Sequence, residues 1–388
     1  MSAAAFEMIA KLVGFATVSR DSNLELIEYI SAYLAEHGVD SRLVPNAGNS
    51  KANLYATVGP SVEGGVVLSG HTDVVPVDGQ PWDSEPFTVT EKGERLYGRG
   101  TADMKSFYAI ALALVPEMLA RGLARPIHFA LSYDEEVGCL GAPSMIERIA
   151  AELPAPRAVV VGEPTDMRIV TAHKSITGGE TRVTGHEAHS SQPHRGVSAV
   201  MTAARLITFL EDMARENAAG PPSETPFETP YSTIHVGTVR GGTATNIISR
   251  ECRFGWDMRC VPEDDPQTFL DRFDRYCREE VLPAMRALAP ETDIVTTVGS
   301  SVPGLRPEDD GEAEALVRLL TGDNGRGAVA YAAEAGQFQR AGFSTVLCGP
   351  GSIDQAHQPN EYIEKSQIHA CIDFMHRLID MQASPEKS

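Results

Sequence analysis

Apolar residues follow two periods along this chain, and the change from one to the other predicts its elements. Helical spacing marks Phe6–Phe15 and Leu24–His37, the second closed by Gly38 as a C′ residue. Ser41–Val44 and Asn53–Val58 read as strands, and Phe87–Lys92 with Arg95–Tyr97 as a hairpin. Helices are predicted at Ser106–Ala120 and Ala142–Ala151. Four short, mainly apolar runs read as strands: Val66–Ser69, Ile127–Ser132, Ala158–Val161 and Thr345–Cys348.

The pattern changes near Ala172. Thr181–Thr184 reads as a strand and Val197–Ala218 as a long helix. A Pro- and Glu-rich loop follows over Gly220–Pro230, then Ser232–Arg240 and Arg253–Arg259 alternate as strands do. Asp265–Val281 is predicted helical and Asp293–Thr297 a strand. The order β-α-β-β-α-β is that of a ferredoxin-like module. From Gly311 the α/β pattern resumes: a helix to Leu320, a second near Gln337, the strand ending at Cys348, and a helix over Lys365–Gln382. The predicted fold is an α/β domain of residues 1–176 and 298–388, interrupted by an inserted α+β domain at 177–297. Ala383–Ser388 is expected to be a disordered tail.

The ends of the apolar runs carry polar chemistry. Val66–Ser69 leads into Gly70-His71-Thr72-Asp73, Ile127–Ser132 into Asp134-Glu135-Glu136, and Ala158–Val161 into Gly162-Glu163-Pro164. Thr345–Cys348 leads through Gly349-Pro350-Gly351 to His357. Open α/β sheets bind ligands outside the carboxyl ends of their strands. His71, Asp103, Glu136, Glu163 and His357 are the ligand types of a two-metal hydrolase, and imidazole with carboxylate favours zinc or a similar divalent ion. Asp103, at the mouth of a helix, is the natural bridge. Of the adjacent acids, Glu136 is expected on metal and Glu135 as general base. Asp73 is expected to orient the His71 imidazole. Singly, each has a plainer reading: a structural histidine, a helix cap at Asp103, a solvated pair at Glu135-Glu136, a turn cap at Asp73. Together, at successive element ends and wrapped in Gly or Pro, they point to a metal site.

Composition narrows the class. The 388 residues are 42% hydrophobic and 22% charged, as in ordinary soluble globular proteins. A formal net charge of −20 argues against nucleic acid and anionic membrane as partners. No apolar stretch is long enough to span a bilayer. Met1–Val18 has no basic start and carries Glu7 and Lys11, unlike a signal peptide. The six cysteines form no CxxC pair and read as core thiols of a reducing compartment, so the cytoplasm is the expected location.

Five segments resemble the motifs of the acetylornithine deacetylase, succinyl-diaminopimelate desuccinylase and carboxypeptidase group of di-zinc amidohydrolases. They are Gly70–Pro76, Gly98–Lys105, Ser132–Gly138, Gly162–Thr165, and Gly349–Ser352 through Ala356–Glu361. The resemblance covers essentially the whole chain. It implies a zinc-hydrolase sheet with a lid and dimerisation insert, and two Zn2+ per subunit for which Co2+ can substitute. One ion would take His71 and Glu163, the other Glu136 and His357, with Asp103 between and a cis peptide bond after it. In the insert, Gly185–Ser191 matches a motif whose second histidine, His189, would polarise the scissile carbonyl, in the partner subunit's site. Asn246, in Gly241–Asn246, would lie near the substrate. Arg259 would grip a substrate carboxylate, or is a surface charge on a strand.

Thr171–Lys174 and Glu334–Phe338 resemble the acetylornithine deacetylase branch. There Glu334 would meet the substrate's amino group or cap the core. Ser175, Ser106 and Ala332-Ala333 depart from the branch's pattern. The implied activity is hydrolysis of an N-acyl amino acid, N2-acetyl-L-ornithine first, to L-ornithine and acetate in arginine biosynthesis. Succinyl-diaminopimelate or another N-acyl or N-carbamoyl amino acid is the alternative substrate. A non-catalytic binding protein on the same fold is a remote third reading.

Overall fold

The computed structural model describes residues 2–220 and 226–384. Residues 221–225 of the Pro- and Glu-rich loop and 385–388 of the expected tail lie outside the described residues. The chain forms two compact units: Met1–Ala172, Leu305–Ala328 and Ala333–Ser388 in one, His173–Gly304 and Val329–Ala332 in the other. The expected boundaries stand after 176 and 297; the second unit runs instead from His173 to Gly304 and also takes in Val329–Ala332.

The first unit begins α1 (Ser2–Val13), α2 (Leu24–Glu36), β1 (Ser41–Pro45), β2 (Ala52–Val58) and β3 (Val66–His71). It continues β4 (Thr90–Lys92), β5 (Arg95–Tyr97), α3 (Lys105–Ala113), α4 (Val115–Arg121), β6 (Ile127–Ser132), α5 (Ala142–Glu152), β7 (Ala158–Pro164) and β8 (Val170–His173). The second unit holds β9 (Ile176–Thr184), α6 (Ala199–Ala219), β10 (Thr233–Gly241), β11 (Glu251–Arg259), α7 (Pro266–Arg275), α8 (Leu282–Leu288) and β12 (Asp293–Val302). The chain then adds α9 (Glu312–Thr321), β13 (Gly327–Val329), α10 (Ala335–Arg340), β14 (Thr345–Gly349), β15 (Tyr362–Glu364) and α11 (Lys365–Ala383).

The main sheet has the order β1-β2-β6-β3-β7-β14-β8-β13. Its central strands β6, β3, β7 and β14 are the four apolar runs. Each is buried along its whole length and pairs in parallel with the next. Their carboxyl ends therefore open on one edge of the sheet, with His71 abreast of Ser132. The helices bury apolar stripes in the unit's core: Ile9, Leu12 and Val13 of α1, Leu26, Ile30 and Leu34 of α2, and Ile368, Ile372, Met375 and Ile379 of α11. Each such side chain contributes about 1.5–3 kcal/mol. Nearly every residue of α3 is buried, as in a helix enclosed on all sides. That helix starts two residues after Asp103.

The second unit is an antiparallel sheet of order β10-β11-β9-β12 with the β-α-β-β-α-β connectivity of a ferredoxin-like module. β11 alternates, burying Phe254, Trp256 and Met258 against Leu206, Leu210 and Met213 of α6.

The single helix expected over Ser106–Ala120 is two, broken at Leu114. Pro116 has no N–H and its ring crowds the preceding turn. The helix expected to end at Val281 runs to Leu288 through a π-wound stretch, Tyr276–Val281, ahead of Pro283. β9 starts earlier than expected because Gly178-Gly179 hide the strand alternation; a Cβ on Gly179 would sit 2.7 Å from the Trp256 ring. The short β8, β13 and β15 are too brief to carry a period. No helix among the described residues is long and apolar enough to cross a membrane.

Candidate metal centre

The parallel strand ends, with two neighbouring loops, bring six of the expected residues together in the first unit. His71 closes β3 and is 1% exposed. Its Nδ1 lies 2.8 Å from the Asp73 carbonyl oxygen. A carbonyl only accepts, so Nδ1 carries a proton, and Nε2 is the ring atom that can give up its own proton to a cation. Nε2 faces Asp103 Oδ1 at 2.9 Å. Asp103 Oδ2 is 3.2 Å from His357 Nε2, which is 3.0 Å from Glu136 Oε2. The Asp103–Met104 peptide bond is cis. Glu163 lies within β7, buried, and its Oε1 has no hydrogen-bond partner. Gly162 before it has no room for a side chain: a Cβ would sit 2.0 Å from the Phe107 ring of α3.

Ligand atoms of His71, Glu135 and Glu163 lie within 4.8 Å of one another, and so do those of His71, Asp103 and Glu136. Four carboxylates thus crowd two imidazoles. Burial, with the charges of neighbouring acids, holds Glu163 well above the usual carboxylate range. Burial also raises Glu135, with Glu136 and Asp103 adding to it and His71 opposing. Burial and Asp103 raise Glu136 against the pull of His357. Burial would raise Asp103 too, but hydrogen bonds from His357 and His71 outweigh it and hold the group below its ordinary value. Hydrogen bonds to Asp103 and Glu136 push His357 up to about 10. Excess buried negative charge, an unpartnered Glu163 oxygen and an imidazole whose Nε2 can exchange its proton for a metal suit divalent cations.

Asp73 has a wider reach than expected. Its carbonyl, not its carboxylate, makes the close contact with His71; Oδ1 is 3.8 Å from Nδ1. The carboxylate instead accepts from Ser19 Oγ (2.7 Å) and from the backbone N–H groups of Glu135 (3.1 Å) and Glu136 (3.2 Å). It therefore holds the turn that carries both acids. Glu334 is fully buried, its two oxygens accepting from Ser69 Oγ (2.5 Å) on β3 and Ser132 Oγ (2.7 Å) on β6. Ser106, where the motif often has glycine, donates to the Thr101 carbonyl within the Asp103 loop.

His189, Asn246 and Arg259 lie in the second unit. His189 is exposed with Nδ1 2.7 Å from Ser191 Oγ, and Ser190 N–H donates to the Asn246 carbonyl, so the first two are neighbours. Arg259, half-buried at the end of β11, donates to Asp257.

Two features carried no sequence signal of their own. Cys139, buried beside the acids, donates its thiol to Glu135 Oε1 at 3.3 Å. Arg99 and Glu361 form an ion pair inside the unit. Both stand in the quoted motifs or beside them, but nothing local tells that they meet.

A parallel sheet that gathers histidine and acids at its strand ends, with a ferredoxin-like insert, is the architecture of a family of hydrolases. Residues 67–381 match peptidase family M20/M25/M40, and the chain belongs to that family. Among its relatives, the acetylornithine deacetylase of Proteus mirabilis is 34% identical over 369 residues, spanning 95% of this chain and 92% of that protein. The acetylornithine deacetylase of Pasteurella multocida is 31% identical over 380 residues, 96% of each. The crystal structure of a tripeptidase from Staphylococcus aureus shares the fold, with a TM-score of 0.74 at 19% identity over 99% of both chains.

Proposed function

We propose that this hydrolase removes the acyl group of an N-acyl amino acid, with N2-acetyl-L-ornithine as substrate and L-ornithine and acetate as products. The cluster of His71, Asp103, Glu135, Glu136, Glu163 and His357 carries the reading as amidohydrolase. The full-length similarity to acetylornithine deacetylases supports the substrate.

In this reading His71 and Glu163 would hold one zinc ion and Glu136 and His357 the other, with Asp103 available to both. Divalent ions held there supply Lewis acidity toward the amide carbonyl and lower the pKa of water to about 7. Glu135 takes the proton of the attacking water and returns it to the leaving amine. Asp73 supports this from behind, fixing the His71 ring by its carbonyl and the Glu135-Glu136 turn by its carboxylate. His189 polarises the scissile carbonyl in the partner subunit's site, Asn246 contacts the substrate, and Arg259 takes its carboxylate. Of the two expected roles of Glu334, contact with the substrate's amino group or a cap on the core, the bonds from Ser69 and Ser132 to its oxygens support the second, bracing β3 against β6. The functional form is a homodimer through the second unit. Its place is the cytoplasm, which suits six free, buried cysteines.

The test is release of free amine by the zinc-loaded protein from a panel of substrates, each with a chelator control. The panel holds N-acetylornithine, N-acetylmethionine, N-succinyl-diaminopimelate, and N-carbamoyl and N-formyl analogues. A chelator-sensitive preference for N-acetylornithine is expected. A preference elsewhere keeps the chemistry and moves the substrate; no turnover across the panel overturns the reading.

A further inference from the structure

The residues that reach the candidate metals do not all stand on equally firm ground. His71 ends a central strand and Glu163 lies within the next one. Asp103 and His357 stand on loops, and His357 has a left-handed backbone, φ 64°. The pairing of β5 with β15, extended by Gly98 N–H to the Glu361 carbonyl, joins the two loops at their bases, and side-chain contacts must fix the rest of each.

Glu361 meets both. It lies just before β15 and is 1% exposed. Its Oε1 accepts from three backbone N–H groups of the Asp103 loop: Gly100 (3.0 Å), Ala102 (2.8 Å) and Asp103 itself (3.1 Å). Its Oε2 accepts from Arg99 Nη1 at 2.6 Å. Arg99 Nη2 donates to Gln80 Oε1 at 2.7 Å, and Gln80 Nε2 donates to the His357 carbonyl at 2.9 Å. Trp82 Nε1 donates to the same Gln80 oxygen at 3.0 Å. A continuous run of hydrogen bonds therefore joins the backbone of Asp103 to the backbone of His357. The two side chains then converge, with Asp103 Oδ2 3.2 Å from His357 Nε2.

A buried ion pair is weak evidence for net stability, since apolar residues of similar volume often do as well. Its geometry is another matter: a carboxylate with four donors and a guanidinium with two acceptors leave each loop little freedom. We propose that Glu361, with Arg99 and Gln80, is a positioning clamp that sets Asp103 against His357. By this device it tunes the metal position formed by Glu136, His357 and Asp103. The proposal rests on the two-metal reading above. Partners standing behind metal ligands commonly account for 10–100-fold in affinity.

The test is zinc titration of the chelator-stripped full-length protein, with the stripped protein's melting temperature followed in parallel. Wild type is expected to bind two ions. Glu361→Gln leaves an amide N–H2 facing Arg99 and is expected to weaken the second ion by about 10–100-fold and the first, which shares only Asp103 with the clamp, by clearly less. Gln80→Leu removes the link to His357 together with the Arg99 and Trp82 bonds to Gln80 Oε1, at a half-buried position, but leaves the four donors on Glu361 in place, and keeps the test open if Glu361→Gln does not fold. It is expected to show the same selectivity with a smaller shift. Unchanged affinity for the second ion in both variants overturns the clamp alone. Equal weakening of both ions with a lowered melting temperature also overturns it, since that is the mark of general support. A wild type that binds fewer than two ions overturns the two-metal reading and the clamp with it.

Discussion

Replacing Glu135 by glutamine separates proton transfer from metal binding at one atom. The side chain keeps its shape, and its backbone N–H still donates to Asp73 Oδ1, 3.1 Å away. What is lost is the capacity to take a proton and one negative charge. Loss of a positioned general base costs about 10²–10⁴-fold in kcat, roughly 3–5 kcal/mol in the barrier. The lost charge weakens cation binding on its own account, so Glu136→Gln is the control. It removes the same charge from the adjacent residue together with a ligand to which His357 Nε2 stands at 3.0 Å. The assay pairs kcat for N-acetylornithine with bound zinc at saturating metal. Glu135→Gln is expected to retain two ions and lose turnover, whereas Glu136→Gln loses an ion. Near-normal turnover in Glu135→Gln would refute the base assignment. Loss of an ion from Glu135→Gln matching that from Glu136→Gln would refute it differently, making Glu135 a ligand beside His71 and Glu163, as its position within their 4.8 Å grouping permits.

His189→Ala is expected to lower kcat by about 10²–10³-fold with metal content unchanged; loss of metal would contradict the carbonyl-polarising role. Gly162→Ala forces a Cβ to within 2.0 Å of the Phe107 ring and is expected to cost about 1–3 kcal/mol in urea unfolding; an unchanged midpoint would contradict the packing. His128, fully buried on β6 with Nδ1 2.9 Å from Thr57 Oγ1, has its pKa lowered by burial from 6.5 to about 4. Its folded value lies below its unfolded one, so its stabilisation is complete above pH 6.5 and is lost as pH falls toward 4, by about 2 kcal/mol at pH 5. His128→Asn is expected to flatten that part of the pH–stability curve, and an unchanged slope would sink the assignment.

Much of the fold was legible because its signals are local. The four central strands are apolar runs, the helices of the first unit carry 3.6-residue stripes, and the β-α-β-β-α-β order of the insert follows from periods and loop residues. The errors fell where local signals conflict. Pro116 divides an apolar stretch that otherwise reads as one helix, and Gly178-Gly179 conceal the first residues of β9. The candidate ligands were visible as acids and histidines at element ends, yet their partners were not. Asp73 acts through its carbonyl on the ring and through its carboxylate on the next loop, a division that no residue identity announces.

The sequence by itself determined most of the elements, the insert and the kinds of chemistry available, since period, turn residues and side-chain type are properties of short segments. Tertiary structure alone decided which strand ends are neighbours: β6, β3, β7 and β14 are joined by pairing between residues far apart in the chain. It also decided that Glu334 faces two serines on the sheet, and that Glu361 receives the N–H of Asp103 across 258 positions. A buried carboxylate must find donors, but which donors reach it depends on how the whole chain packs.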